Sequence, residues 1–510
     1  MMEQRSTVTG KWDRWSFLWL ALAAIFALFT NGNWNIPLAT WLSLLFALRF
    51  WRTQPPKRGF IIYTFVFMVP LYFAWQGLVP LSHAAYFVFV VIISLSNALT
   101  FLTDRLLVSR LTGFVSTLVF PSVLVTTQYI MTLTSPYSSF GSLAYTQYGN
   151  LPLLQILSVT GLSGITFLLA WFASTVNWAW ERQFRWKEVW KGVVTYAGIL
   201  AVSLLAGGAS LISTPASDTV RTAAIPATEV FEMGQDIEDS AERFLSGEAT
   251  DTELESIRAE FSAANEHLLE RSEREARAGA GIIFWSEGGG LVLKEDEAAL
   301  IERGCSLARQ EGIYLGMALA TLHSGESLVE NKVVLVEPSG EIAWEYLKSR
   351  PVPGSSSMRG VGEILTLDTR YGRIAAAICF DMDFPNLIHQ AGAAGVDVVF
   401  NPSNDWEEVA PLRMQMATFR AIENGFSLVR PTSHGFSVAT DYRGRMLAMA
   451  DYFRSEDPVM IAYVPTKGVT TVYSQIGDVF AWLCVAGFIA ILGWVLIWRK
   501  RAKPFRTPTS

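Results

Sequence analysis

The sequence predicts a chain in two parts: a polytopic α-helical membrane domain of about eight helices, and an α/β layered domain outside the bilayer. Three observations predict it. The 510 residues are 51% hydrophobic and only 17% charged, with a mean hydropathy of +0.30, too apolar for an ordinary soluble enzyme. Apolar stretches of near-membrane length recur through the first two hundred or so residues and once more near the C-terminus. Between them lies a long polar interval in which short apolar runs alternate with amphipathic stretches.

A bilayer core of about 30 Å needs around 20 apolar helical residues at about 1.5 Å each. Helices are predicted at 15–29, 36–50, 60–78, 84–102, 111–133, 154–178, 193–211 and 479–498. The first two are short, and the polar "NGNWN" between them reads as a hairpin turn rather than the tip of a re-entrant pair. Lys11 and Arg14 before the first run also fit a signal peptide, but further membrane-length segments follow at once and no small-residue cleavage site stands out.

Positive charge sets the expected topology. Arg49, Arg52, Lys57 and Arg58 follow the second helix, Arg105 and Arg110 the fourth, Arg182, Arg185, Lys187 and Lys191 the sixth, and Arg499, Lys500, Arg501 and Lys503 the eighth. The loops after the first, third and fifth helices contain no Lys or Arg. By the positive-inside rule both termini are cytoplasmic and the long interval is outside, at the periplasmic or extracellular face of the cytoplasmic membrane. The expected domains are therefore 1–212, seven helices; 213–476, the external domain; and 477–510, a final helix with a basic tail.

Within the external interval, Leu254, Ile257, Phe261, Ala264 and Leu268 repeat at helical spacing, so 252–277 is predicted as a surface helix with one buried stripe. "GIIFW" reads as a strand ending before Glu287, 295–310 as a helix, and "YLGMALA" as the next strand. "NKVVLVEP" and "EIAWEYLK" flank Ser339-Gly340 as a hairpin. "RIAAAICF" reads as a buried strand, 385–394 as a helix, "VDVVFNPS" as a strand and 411–424 as a helix, followed by "FSLVRP" and a hairpin at Arg443-Gly444. Strands alternating with helices over about 250 residues indicate a layered α/β domain with its own core.

Several chemistries are disfavoured. A formal net charge of -6 gives no support for nucleic-acid binding. His83, His267, His323, His389 and His434 form no metal-binding spacing, no GxGxxG or GK[ST] loop is present, and no GxSxG serine occurs, so neither a metal nor any other cofactor is expected. Three cysteines, Cys305, Cys379 and Cys484, are too few and scattered for a disulfide framework. What remains is Glu287, Lys348 and Cys379, each at the end of a predicted strand. A thiol attacks a carbonyl as thiolate: Glu287 can take the proton, while Lys348 can stabilise the thiolate and a tetrahedral oxyanion. Singly, a cysteine in a buried strand is usually a small core residue, and Glu and Lys at strand ends are usually solvated. The chemical reading rests on their combination.

The order Glu, Lys, Cys, with "ICFDMDFP" around the thiol and "NPSNDW" about twenty residues later, resembles the nitrilase superfamily of carbon-nitrogen hydrolases. Seven helices, an external domain of that kind and a final helix are similar to the apolipoprotein N-acyltransferase family, as are "GLSGITFLL", "MQMATFRAIENGFSLVRPTSHGFSVATDYRGRM" and "TTVYSQIGDVFAWL". The resemblance implies a nitrilase-like αββα sandwich, with a phospholipid acyl donor, a cysteine thioester, and a diacylglyceryl-cysteine lipoprotein acceptor. It implies Glu287 as general base, Lys348 as oxyanion stabiliser and Cys379 as nucleophile, with Asp381 in a supporting position two residues after the thiol; beside these, Asn404 and Asp405 read as shaping the pocket or capping the next helix, and Trp406 as lining an acyl channel or anchoring at the lipid surface. The family pattern is broken at Ser286, where it has Pro, at Asp381, where it has Glu, and at Ser356, where a supporting Glu is lost. The segment 406–415 is short for the family, and the opening "TAAIPATEV" is unlike its usual one. The same three residues would also serve a membrane-tethered amidase or nitrilase, and the lost Glu leaves a degenerate lipid- or lipoprotein-binding homologue as a third reading.

Overall fold

The computed structural model describes residues 14–212, 217–228, 233–326, 328–455 and 457–501. Lys11, Lys503, the boundary expected at 213 and the end of "TAAIPATEV" lie outside them. Two compact units emerge. One comprises the helices up to Ser135, from Gly141 to Ile212, and from Asp478 onward; the other comprises Pro136–Phe140 and the chain as far as Gly477. The five residues Pro136–Phe140 thus depart from the expected 1–212 assignment, because they pack with the second unit.

In the helical unit every predicted stretch is helical, but six helices rather than eight are long and apolar enough to cross a membrane among the described residues: Pro56–Trp75, His83–Val108, Phe114–Thr134, Leu162–Glu181, Trp186–Ile212 and Val479–Ile497. The first predicted span shortens to Ser16–Ala27 and the second shifts to Pro37–Thr53, and both stay below membrane-crossing length. Between them, Thr30–Asn31 pairs antiparallel with Trp34–Asn35, so "NGNWN" is a true hairpin. The sixth stretch is broken: Leu151–Leu154 and Leu157–Thr160 precede Gly161, whose φ of 60° ends the turn and lets Leu162–Glu181 start in a new direction. Ile61, Phe65, Val69 and Phe73, four residues apart on one helix, are each more than half exposed. Such an apolar outward stripe suits lipid and would be costly in water. Inside the unit, several buried polar groups find partners: Arg52 bonds Asp104 at 3.4 Å and Ser174 at 3.2 Å, and the Asn177 amide donates to the Leu45 carbonyl at 3.0 Å.

The second unit carries two large sheets and a two-stranded one, Ser403–Asn404 beside Thr432–Ser433. Seven strands form one, in the order Met460–Pro465, Thr219–Ile225, Ile282–Trp285, Tyr314–Leu322, Glu330–Val336 and Ile342–Leu347, with Gly290–Leu293 also pairing to Tyr314–Leu322. The six-stranded sheet runs Met446–Asp451, Phe436–Thr440, Ser427–Arg430, Val398–Phe400, Gly372–Ala376 and Thr366–Thr369. One apolar core joins them, and within it Phe284 of the first sheet stacks on Phe400 of the second at 4.0 Å between centroids. Helices Asp251–Arg277 and Glu297–Glu311 cover the first sheet, and Pro385–Ala393 and Ala410–Asn424 belong with the second, giving the αββα layering. Asp251–Arg277 starts where it does because Thr250 and Glu253 form a capping box.

Two expected strands end early. "RIAAAICF" stops at Ala376, and Cys379–Asp383 is a turn of 3-10 helix; "VDVVFNPS" stops at Phe400. The helix Gln235–Leu245 and the strands Thr366–Thr369 and Met460–Pro465 were not expected from the pattern.

Candidate active site

Strand ends of both sheets meet in one place. Glu287 lies two residues beyond Ile282–Trp285, Lys348 one residue beyond Ile342–Leu347, and Cys379 three beyond Gly372–Ala376. Their exposures are 7%, 4% and 6%, so the Glu and Lys are not solvated as strand-end residues usually are: the convergence itself excludes water. Backbone bonds fix Lys348 and Cys379. The Lys348 N–H donates to the Asn331 carbonyl at 2.9 Å, and the Cys379 N–H to the Pro402 carbonyl at 2.8 Å.

Glu287 is the hub. Its Oε1 accepts from the Lys348 ammonium and from the Asn331 amide, the latter at 2.7 Å, while Oε2 accepts from the Asn404 backbone N–H at 3.0 Å. Burial favours the neutral acid, but Lys348, the Asn331 amide and the Cys379 thiol together outweigh it and hold the carboxyl below its usual range. Burial likewise works against the Lys348 ammonium, and Glu287 and Cys379 offset it, so the amine sits above its usual range. The thiol is pushed up to about 12, chiefly by burial and then by the Glu287 charge, with Lys348 opposing. At neutral pH the cluster is therefore a carboxylate, an ammonium and a protonated thiol. Cys379 itself has φ 42°, a conformation rare for a side-chain-bearing residue, and its Sγ lies 3.8 Å from the Asn404 carbonyl.

Asp381 ties the two flanks together. It accepts from the Tyr346 hydroxyl at 2.7 Å, the Arg350 N–H at 2.7 Å and the Ile378 N–H at 3.0 Å, so one carboxylate holds residues beside Lys348 and beside Cys379. Burial raises this carboxyl to about 6 despite those donors. Asn404 contributes through its backbone N–H and carbonyl, as above, while its side-chain oxygen lies 3.2 Å from His434 Nδ1. Asp405 does not cap the following helix, whose N-cap is Val409. Instead it grips Arg430 at 2.9 and 3.0 Å. Trp406 is half-buried, and its carbonyl accepts from the Val409 and Ala410 N–H groups at the start of that helix.

Ser286, in the position where Pro was expected, donates its N–H to the Ile225 carbonyl at 2.9 Å, a bond Pro could not make. Ser356 is exposed, and its carbonyl accepts from the Val329 N–H at 2.7 Å. In "SEGGG", Gly289 closes a turn on the Ser286 carbonyl with Gly288 at φ 64°. Asn331 and Tyr346 were missed by sequence reasoning. Each sits in a strand that reads as ordinary sheet, and only its register aims the polar group at the cluster.

Residues 254–473 match the family model described as carbon-nitrogen hydrolase. Among curated proteins, the chain is 28% identical over 378 residues to an apolipoprotein N-acyltransferase of Geobacter metallireducens, covering 68% of each chain. It is 33% identical over 129 residues to apolipoprotein N-acyltransferase 1 of Treponema denticola, covering 24% of each. Among solved structures, an amidase from Nesterenkonia sp. aligns at 19% identity with a TM-score of 0.37, covering 52% of this chain and 95% of the amidase.

Proposed function

This chain is a relative of the apolipoprotein N-acyltransferases that carries a carbon-nitrogen hydrolase domain beside helices of membrane-spanning length, and from that premise we propose that it is a membrane acyltransferase. It moves a phospholipid acyl chain through a Cys379 thioester to the N-terminal amine of a diacylglyceryl-cysteine lipoprotein. The observation that carries the reading is one thiol, one carboxylate and one ammonium buried together, each delivered by a different strand end.

The thiol rests protonated, so attack requires its proton to leave as the S–C bond forms. Glu287, the carboxylate whose charge bears on the thiol, takes that proton. Electrons of the ester carbonyl move onto oxygen, and the Lys348 ammonium stabilises the oxyanion. Collapse breaks the bond to the lysophospholipid oxygen, which departs with the proton from Glu287 and leaves the acyl thioester. The lipoprotein amine then attacks the thioester carbon and gives a proton to Glu287. As the C–S bond breaks, that proton returns to sulfur.

The distribution of Lys and Arg supports both termini in the cytoplasm and this chemistry at the outer face of the cytoplasmic membrane. A donor that stays in the bilayer reaches the thiol without being extracted into water. The test is incubation of the purified protein with phospholipid and a diacylated lipopeptide. A lipopeptide heavier by one acyl chain, lost in Cys379→Ala, is expected. Free fatty acid with an unchanged peptide would point to a hydrolase, and absence of both products to a binding homologue.

A further inference from the structure

One buried ion pair that acyl transfer leaves unused lies on the turn that begins at the nucleophile. Asp383, four residues after Cys379, and Arg413, on the helix Ala410–Asn424, form an ion pair of 2.9 Å with both side chains buried. The guanidinium lies 4.8 Å from the ring centroid of Phe380, the residue next to Cys379, and 5.6 Å from that of Phe140. Phe140 belongs to Pro136–Phe140, the short segment that packs with the catalytic unit. Ser139 of the same segment donates its hydroxyl to the Asp383 carbonyl at 2.6 Å and its N–H at 3.3 Å, and Tyr137 meets Phe380 edge-on at 6.4 Å.

This cluster calls for a reason beyond stability. A buried ion pair is on average no more stabilising than apolar residues of similar size, because both ions lose their water. Cys379 meanwhile has a positive φ, which persists only when surrounding structure holds it. The cluster grips the turn Cys379–Asp383 at its second and its last residue.

We infer that Arg413 is a positioning residue for the nucleophile: clamped between Phe380 and Phe140, and tied through Asp383 to Ser139, it fixes the Cys379 turn and presents to the forming thiolate a second positive charge besides Lys348. The inference rests on Cys379 being the nucleophile. The charged groups facing the thiol are Glu287 and Asp405 of one sign, Lys348 and Arg413 of the other; burial is the largest influence on the thiol, and the two cations oppose it.

The test reads iodoacetamide alkylation of Cys379, located by peptide mass in the full chain, alongside acyl transfer. Arg413→Gln is expected to slow alkylation at a given pH about tenfold, since a neighbouring opposite charge shifts an ionising group by about one unit or more. Arg413→Lys keeps the charge and restores most of the rate. Asp383→Asn keeps the cation without its partner and is expected to alkylate at least as fast as the parent. Should Arg413→Gln fail to fold, Ser139→Ala carries the test, with alkylation slowed about threefold by loss of one buried hydrogen bond. Parent rates in both Arg413→Gln and Ser139→Ala, or equal slowing in Arg413→Gln, Arg413→Lys and Asp383→Asn, overturn the inference. Failure of the nucleophile reading looks different: Cys379→Ala would then still transfer acyl chains, whatever Arg413→Gln does to alkylation.

Discussion

At the scale of single residues, the site works by giving Glu287 more donors than burial alone would allow. Lys348, Asn331 and the Asn404 backbone all donate to it, and the carboxylate stays charged where water is excluded. Asn331→Ala removes the neutral side-chain donor of the three, and an unmade bond to a buried charge costs about 1–3 kcal/mol. Acyl transfer is therefore expected to fall about ten- to a hundredfold, with thermal unfolding showing a stability loss of the same order, about 1–3 kcal/mol. The thiol supplies a pH signature. Its folded value, about 12, lies above that of a free cysteine, so the thiolate fraction at any working pH is reduced and rises with pH. Alkylation of Cys379 is expected to keep climbing about tenfold per pH unit past 9, where a free cysteine with a pKa of about 8.5 levels off. A plateau near 8.5 would contradict the buried, anion-facing setting. Of this site, Glu287, Lys348 and Cys379 were legible because each ends a strand with reactive chemistry. Asn331, Tyr346 and Arg413 were not, since strand register and helix packing, rather than local pattern, bring them within reach.

At the scale of elements, the sequence pattern located segments better than it located their ends. The hairpin at Ser339-Gly340 and the one at Arg443-Gly444 were readable, since turn residues separate two alternating runs. The end of "RIAAAICF" was not. Its apolar run continues to Phe380, yet the chain leaves the sheet at Ala376 because the Asp381 carboxylate captures the Ile378 N–H and folds the next residues into a 3-10 turn. Periodicity carries no trace of that carboxylate. The break at Gly161 was similarly hidden, since one glycine inside an apolar stretch reads as tolerated. The two sheets depend on contacts such as the stacked Phe284 and Phe400. Phe284→Ala leaves a cavity there and is expected to lower stability by about 3–5 kcal/mol, measured by thermal unfolding of the detergent-solubilised protein. A loss below about 1 kcal/mol would mean that this contact does not organise the core.

At the scale of the whole molecule, composition divided the chain correctly into an apolar helical part and an α/β part, because bilayer and water demand opposite surfaces. It misplaced Pro136–Phe140, five residues whose partners lie far along the chain in Phe380, Asp383 and Arg413. The proposed topology predicts that a cysteine introduced at Glu248, in the external domain, is labelled in intact cells by a membrane-impermeant thiol reagent. Labelling only after the membrane is permeabilised would reverse the orientation. The central claim is that Cys379 carries the acyl chain, and the direct measurement is the intact mass of the protein after incubation with phospholipid alone. The account predicts a gain of one acyl chain that hydroxylamine removes and that Cys379→Ala does not acquire. The same gain on Cys379→Ala would contradict it.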